Sequence, residues 1–314
     1  MWRPWHPEEM SNTEPAMTIP SGLTARPLTL DDARAVFEVM ADDELDVLGH
    51  VVIEEADIVS DWQRPSFDVS AQTMGVFDGE LLVGYGEHCG HDRADACVHP
   101  AYRGRGIGTA VARWIEDKAR ASGATVVGMP RPVGSPGEAL LRALGYRERW
   151  TSWVLELPQG KQIPETPLPQ GFSLRIGNGE ADYRAAWEVV EDAFLEWSDR
   201  PRVSYADWAS GTVNRPGFEP WNLRLAIAPD GAVAGVSVVF HADDCGYVDK
   251  LAVRRADRGQ GLAQALLADS FAAARAHGAT RSELSTDSRT GALGLYEKVG
   301  MEPTSTWVNL AIDL

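Results

Sequence analysis

The chain has 314 residues, 44% of them hydrophobic and 24% charged, and carries a net charge of -17; at about 100 to 150 residues per domain this predicts two folded domains and excludes a disordered or fibrous protein. The acid excess excludes a general affinity for nucleic acid or for an anionic membrane surface. No apolar run approaches the ~20 residues that span a bilayer, residues 1–7 lack the apolar stretch of a secretion signal, and three scattered cysteines make no disulfide framework, all pointing to a cytoplasmic, reducing compartment.

Residues 1–16 read as a mobile tail. Gly22–Arg26 then opens a first unit as a short strand, followed by an acidic helix from Asp31 to Met40. Between Asp31 and Asp57 lie ten acids and the single base Arg34. Residues 73–77 and 80–85, joined by Asp78-Gly79, read as a hairpin. A strand at 95–98, a glycine-rich turn at 103–108 and a helix to Gly123 follow. Residues 158–170 hold four prolines and no hydrophobic periodicity, the signature of an extended linker.

Beyond the linker the same order of elements returns. Arg103 answers to Arg258, Gly106 to Gly261, Gly123 to Gly278 and Gly145 to Gly300, each pair 155 residues apart. A constant offset of this kind is the mark of a tandem duplication. The domains are therefore drawn at 17–157 and 171–314, with the linker at 158–170. The second unit opens with 171–175, a helix from Asp182 to Phe194 and a hairpin turning at Pro229-Asp230-Gly231. A strand at 246–253 then leads into Arg258-Gly259-Gln260-Gly261-Leu262-Ala263.

A strand feeding a glycine-rich turn that opens a helix makes an anion site, because residues without side chains expose consecutive N–H groups at the positive end of the helix dipole. The turn follows an antiparallel hairpin, which disagrees with a dinucleotide-binding fold. It also lacks the Gly-Lys-Ser or Gly-Lys-Thr of a nucleotide phosphate loop. His88, Cys89, His91, Cys97 and His99 are metal-ligand types without the paired spacing of a zinc site, and no metal is expected.

Both turns resemble the signature of the GNAT superfamily of acyl-CoA-dependent N-acetyltransferases: Arg or Gln, two residues, Gly, one residue, Gly or Ala. Arg103, Gly106 and Gly108 match it in the first half, and Arg258, Gly261 and Ala263 in the second. Residues 290–301 are similar to the family's closing helix and turn. The resemblance covers residues 20–314 and extends to the layout of tandem-domain members. It implies an α/β (α+β) fold of two tandem GNAT-like domains, each a mixed, splayed sheet flanked by helices, and acetyl-CoA (coenzyme A) as cofactor. Pantetheine would pair with Leu251, Ala252 and Val253 in one half and with Val98 and its neighbours in the other. Pyrophosphate would meet Arg258, Gly259, Gln260, Gly261, Leu262 and Ala263, or Arg103, Gly104, Arg105, Gly106, Ile107 and Gly108. The family's proton donor to the departing thiolate falls on Tyr296. Leu141 stands at that position in the first half, which is expected to be non-catalytic.

An amine of pKa about 10.4 is neutral roughly once in 2,500 molecules at pH 7, a cost of about 4.6 kcal/mol that a base or a depressed pKa must offset. Asp249 is one candidate base, on the face that alternation assigns to Tyr247 and Leu251; Glu196 is the other, and a water chain is the alternative to both. Glu196 and Trp197, at the end of a first helix, are candidate acceptor-binding residues. The expected activity is acetylation of the primary amine of a small, cationic molecule by a monomer or homodimer, with no nucleic-acid or membrane partner. The alternatives are a non-catalytic acyl-CoA sensor and a protein N-terminal or lysine acetyltransferase.

Overall fold

The computed structural model describes residues 18–314, so the expected tail at 1–16 lies outside the described residues. The first half runs β1 (Thr24–Arg26), α1 (Ala33–Leu48), α2 (Glu55–Trp62), α3 (Val69–Gln72), β2 (Thr73–Asp78), β3 (Leu81–Gly90), β4 (Arg93–Val98), α4 (Ile107–Ala121), β5 (Val126–Pro132), α5 (Pro136–Ala143) and β6 (Arg147–Glu156). The second half repeats the order with β7 (Ser173–Ile176), α6 (Glu180–Phe194), α7 (Tyr205–Ser210), β8 (Leu223–Ile227), β9 (Val233–Ala242), β10 (Cys245–Val253), α8 (Leu262–Ala276), β11 (Arg281–Asp287), α9 (Leu293–Lys298) and β12 (Glu302–Asp313).

Local sequence explains most boundaries. Both hairpins turn through a glycine in the left-handed region, Gly79 at φ 62° and Gly231 at φ 85°. Helix α1 runs eight residues beyond the expected Met40, because nothing in Ala41–Leu48 breaks a helix before Gly49 caps it at φ 81°. An ion pair ties the first strand to the following segment in each half, Arg26 to Asp32 and Arg175 to Asp182.

All twelve strands found among the described residues join one mixed sheet, in the order β1-β2-β3-β4-β5-β12-β6-β11-β10-β9-β8-β7. The two halves exchange their final strands. Strand β12 runs antiparallel to β5 along Trp307–Asp313, and β6 runs antiparallel to β11 along Ser152–Glu156. Side chains follow the backbone into the opposite half: Val308 and Leu310 enter the core formed with α4 and α5, and Leu155 and Leu157 enter the core formed with α8 and α9. Each such side chain contributes about 1.5–3 kcal/mol of burial free energy to the half that it visits. Helices α4, α5, α8 and α9 cover one face of the sheet, and α1, α2, α6 and α7 pack on the other. No helix among the described residues is long and apolar enough to cross a membrane.

The two parallel pairings mark where the sheet opens. Strand β10 pairs with β11 from Cys245/Arg281 to Val248/Leu284 and then diverges from it. Strand β4 meets β5 at Arg93/Gly128 alone. Each half is thus splayed between its fourth and fifth strands.

Candidate active site

The second-half splay opens into a cavity of about 650 Å³, lined by Asp249, Leu251–Val253, Arg258, Gly259, Gly261–Gln264, Leu284–Asp287 and Tyr296. At its floor Gly259 and Gly261 have φ of 75° and 88°, and Gly261 starts the fifteen-residue α8 with no side chain capping the first turn. Those N–H groups remain available at the positive end of the helix, the arrangement an anionic phosphate needs. Of the cofactor-binding residues read from the sequence in this half, Gln260 alone does not line the cavity.

Strand β10 carries a bulge at Asp249, where the pairing with β9 jumps from Val248/Val239 to Lys250/Val238. The bulge corrects the expected alternation: Val248 and Leu251 now pack toward the same cluster with Leu267 and Phe271, instead of facing opposite sides. Asp249 is exposed, paired with Lys250, and placed at the junction of the first cavity with a second of about 450 Å³. Just before the fork the Tyr247 hydroxyl donates to Ser285 Oγ at 2.8 Å, tying β10 to β11.

Tyr296 is 8% exposed and lines the cavity, and its hydroxyl makes no hydrogen bond among the described residues. Burial pushes its pKa up to about 12, so the phenol stays protonated and can donate. Its counterpart Leu141 is buried in an apolar cluster. Glu196 does not face the cavity: it forms a bidentate pair with Arg258 at 2.8 Å, which holds its carboxyl below the usual range and anchors the chain after α6 to the glycine turn. Trp197 does line the cavity, where the Arg289 guanidinium lies 4.9 Å from its ring and 3.7 Å from that of Trp150.

Trp150, Ser152 and Asn309 also line this cavity, and sequence reasoning missed them. They reach it through the strand exchange: Asn309 of β12 pairs with Trp150 of β6 and Pro130 of β5. One signal was legible, since Asn309 is a lone polar residue between the apolar neighbours Val308 and Leu310.

The second cavity lies between the halves and is lined by eight carboxylates, among them Glu54, Asp57, Asp249 and Glu283, against the cations Arg215, Lys250 and Arg281. Arg215 bridges the halves by pairing with both Glu54 and Asp57. In the first half Val98, Arg103, Gly104, Ile107 and Gly108 line a smaller cavity of about 200 Å³, whereas Arg105 and Gly106 do not. Arg103 there pairs with Asp43 and Asp46.

The Acetyltransferase (GNAT) family matches residues 28–145 and 183–301. The chain is 32% identical to the mycothiol acetyltransferase of Salinispora arenicola over 262 residues, 76% of this chain and 80% of that protein. It is 33% identical to that of Salinispora tropica over 266 residues, covering 79% and 82%. Among solved structures it is similar to a GCN5-related N-acetyltransferase from Sphaerobacter thermophilus, with a TM-score of 0.73 and 26% identity over 94% of this chain and 97% of the other. A tandem GNAT protein from the clavulanic acid biosynthesis pathway shares the fold, with a TM-score of 0.68 and 21% identity over 93% and 98%.

Proposed function

The chain belongs to the GNAT acetyltransferase family, and from that premise we propose that its second half moves the acetyl group of acetyl-CoA onto the primary amine of a small, cationic acceptor. In this reading the catalytic unit is 171–314, the first unit 17–157 is non-catalytic, and 158–170 links them. Acetyl-CoA supplies an activated thioester. The glycine turn at Arg258–Ala263 holds the pyrophosphate, and Leu251, Ala252 and Val253 offer backbone groups to the pantetheine arm where β10 leaves β11. The support is strongest for Leu251, whose backbone no side chain engages among the described residues; Ala252 pairs with Val236 of β9, and the Val253 carbonyl accepts from Arg258 Nε at 2.9 Å.

Tyr296 then gives a proton to the departing thiolate sulfur as the C–S bond breaks and the C–N bond forms. Asp249 takes the proton that the amine loses. Its place at the meeting of the two cavities supports the assignment, because the amine would arrive from the acidic side and the thioester from the glycine-turn side. The observation that carries the reading is Tyr296, a protonated and unengaged hydroxyl at the end of the splayed groove in one half, replaced by leucine in the other. The likeness to mycothiol acetyltransferases puts their acceptor first in a panel of amines. Free thiol release from acetyl-CoA with that panel tests the proposal. Turnover with cationic amines is the expected result, and thiol release with none of them overturns it in favour of an acyl-CoA sensor.

A further inference from the structure

The two glycine turns are alike in geometry, with φ of 75° and 89° at Gly104 and Gly106 against 75° and 88° at Gly259 and Gly261. Both helices after them start without a side-chain cap. The space beyond the turns is smaller in the first half, about 200 Å³ against 650 Å³ in the second. The difference does not come from the strands, because β4 leaves β5 after a single residue pair and so opens earlier than β10 and β11.

A side chain fills the opening. Arg131 of β5 reaches across to β4, where Nη2 donates to the Ala96 carbonyl and Nη1 to Asp95 Oδ1 at 3.2 Å. Asp95 Oδ1 in turn accepts from the Ala96 N–H at 2.7 Å. Both backbone groups of Ala96 are thereby engaged by side chains. By the 155-residue offset Ala96 corresponds to Leu251, the backbone offered to pantetheine in the second half, and Arg131 corresponds to Thr286. Thr286 is turned to Thr290 Oγ1 at 2.9 Å and leaves the second groove clear.

We infer that Arg131 shuts the first-half groove against acyl-CoA, so that a chain built of two cofactor-type folds binds one cofactor molecule. A pantetheine arm entering there would have to displace the guanidinium from the Ala96 carbonyl and the Asp95 carboxylate. A charge-assisted contact of this kind is about twice as strong as the neutral amide hydrogen bond that would replace it. The proposal rests on the second half being the acetyl-CoA site, and the experiment separates the two.

Calorimetric titration with coenzyme A gives the number of sites per chain. The wild type is expected to bind one. Gly259→Asp places a carboxylate at the second-half turn, at a left-handed position with nothing within 4 Å of a new Cβ, and should bind none. Arg131→Thr should bind two and keep wild-type turnover, the turnover showing that it is folded. The double variant should bind one and be inactive. Two sites in the wild type, or one retained in Gly259→Asp, would overturn the proposal, as would a folded Arg131→Thr that still binds one. No binding by the wild type would remove the cofactor assignment itself and this proposal with it. The wild-type and Gly259→Asp counts are decisive even where loss of Arg131 costs the fold.

Discussion

Tyr296 is asked to supply a modest share of the rate, because a thiolate of cysteine-like pKa near 8.5 is already a fair leaving group. Tyr296→Phe should therefore lower kcat by roughly 10- to 100-fold, the low end of the acid-catalysis range, with little change in KM for acetyl-CoA. The pKa of about 12 fixes the sign of its pH dependence. The donor form is lost only as pH rises toward 12, so the wild-type rate should show no alkaline fall attributable to Tyr296 below about pH 10. A basic limb near pH 9 that vanishes in Tyr296→Phe would contradict the burial, and an unchanged rate in that variant would remove Tyr296 from the mechanism. Gly261 and Gly106 divide the halves in the same way. Gly261→Glu would repel phosphate and also meet Thr166, whose Cγ2 lies 2.5 Å from a new Cβ, so turnover should be abolished. Gly106→Glu, with only Pro20 Cγ at 3.7 Å, should keep most activity while losing some thermal stability from the left-handed φ. Turnover and melting temperature of the two variants check this, and the reverse pattern would show that the catalytic half has been misassigned. These residues were legible in the sequence because the glycine turn and the closing helix are local patterns repeated at a fixed spacing. Arg131 was not, since only the fold shows that its guanidinium spans the splay.

At the scale of elements, the hairpins, the turns and the helices after them follow from local signals, and the structure has them where turn chemistry puts them. The bulge at Asp249 gave no such signal, because a bulge depends on how β9 and β10 register and not on the composition of either. The strand exchange was equally invisible. Residues 147–156 and 302–313 both mix charged, polar and apolar residues, so neither composition says whether it belongs beside β5 or β11, and pairing across so long a sequence separation leaves no periodicity to read. Exchange has a direct test. A chain cut within the linker should yield two fragments that are poorly soluble alone, each with an unpaired fifth strand, and that recover acetyltransferase activity when co-expressed. Two fragments each soluble and monomeric alone would argue that every half can use its own final strand.

Across the whole molecule the charge of -17 is unevenly spent, since eight carboxylates gather around the cavity between the halves. Half of them, Glu44, Glu54, Asp57 and Asp61, come from the first half, so in the proposed function that half contributes charge to the acceptor's route. If this field steers a cationic amine, kcat/KM should fall as ionic strength rises past the point where the Debye length is about 8 Å, with kcat little changed. A flat dependence, or a preference for an anionic amine, would count against it.

The exchanged strands also set a timetable. Strand β12 is made after the eleven others, yet its place is the middle of the sheet, between β5 and β6. A growing chain can assemble β1 to β5 early and must then hold the edge of β5 open through the synthesis of some 170 further residues. Contacts of such long sequence separation form slowly, and until β12 arrives β5 and β6 expose edges to any other strand nearby. Refolding should accordingly show a slow phase that reports on Trp307 and Trp150, and its yield should fall with protein concentration. The arrangement that lets both halves build one cavity is also the one that makes this chain late to close.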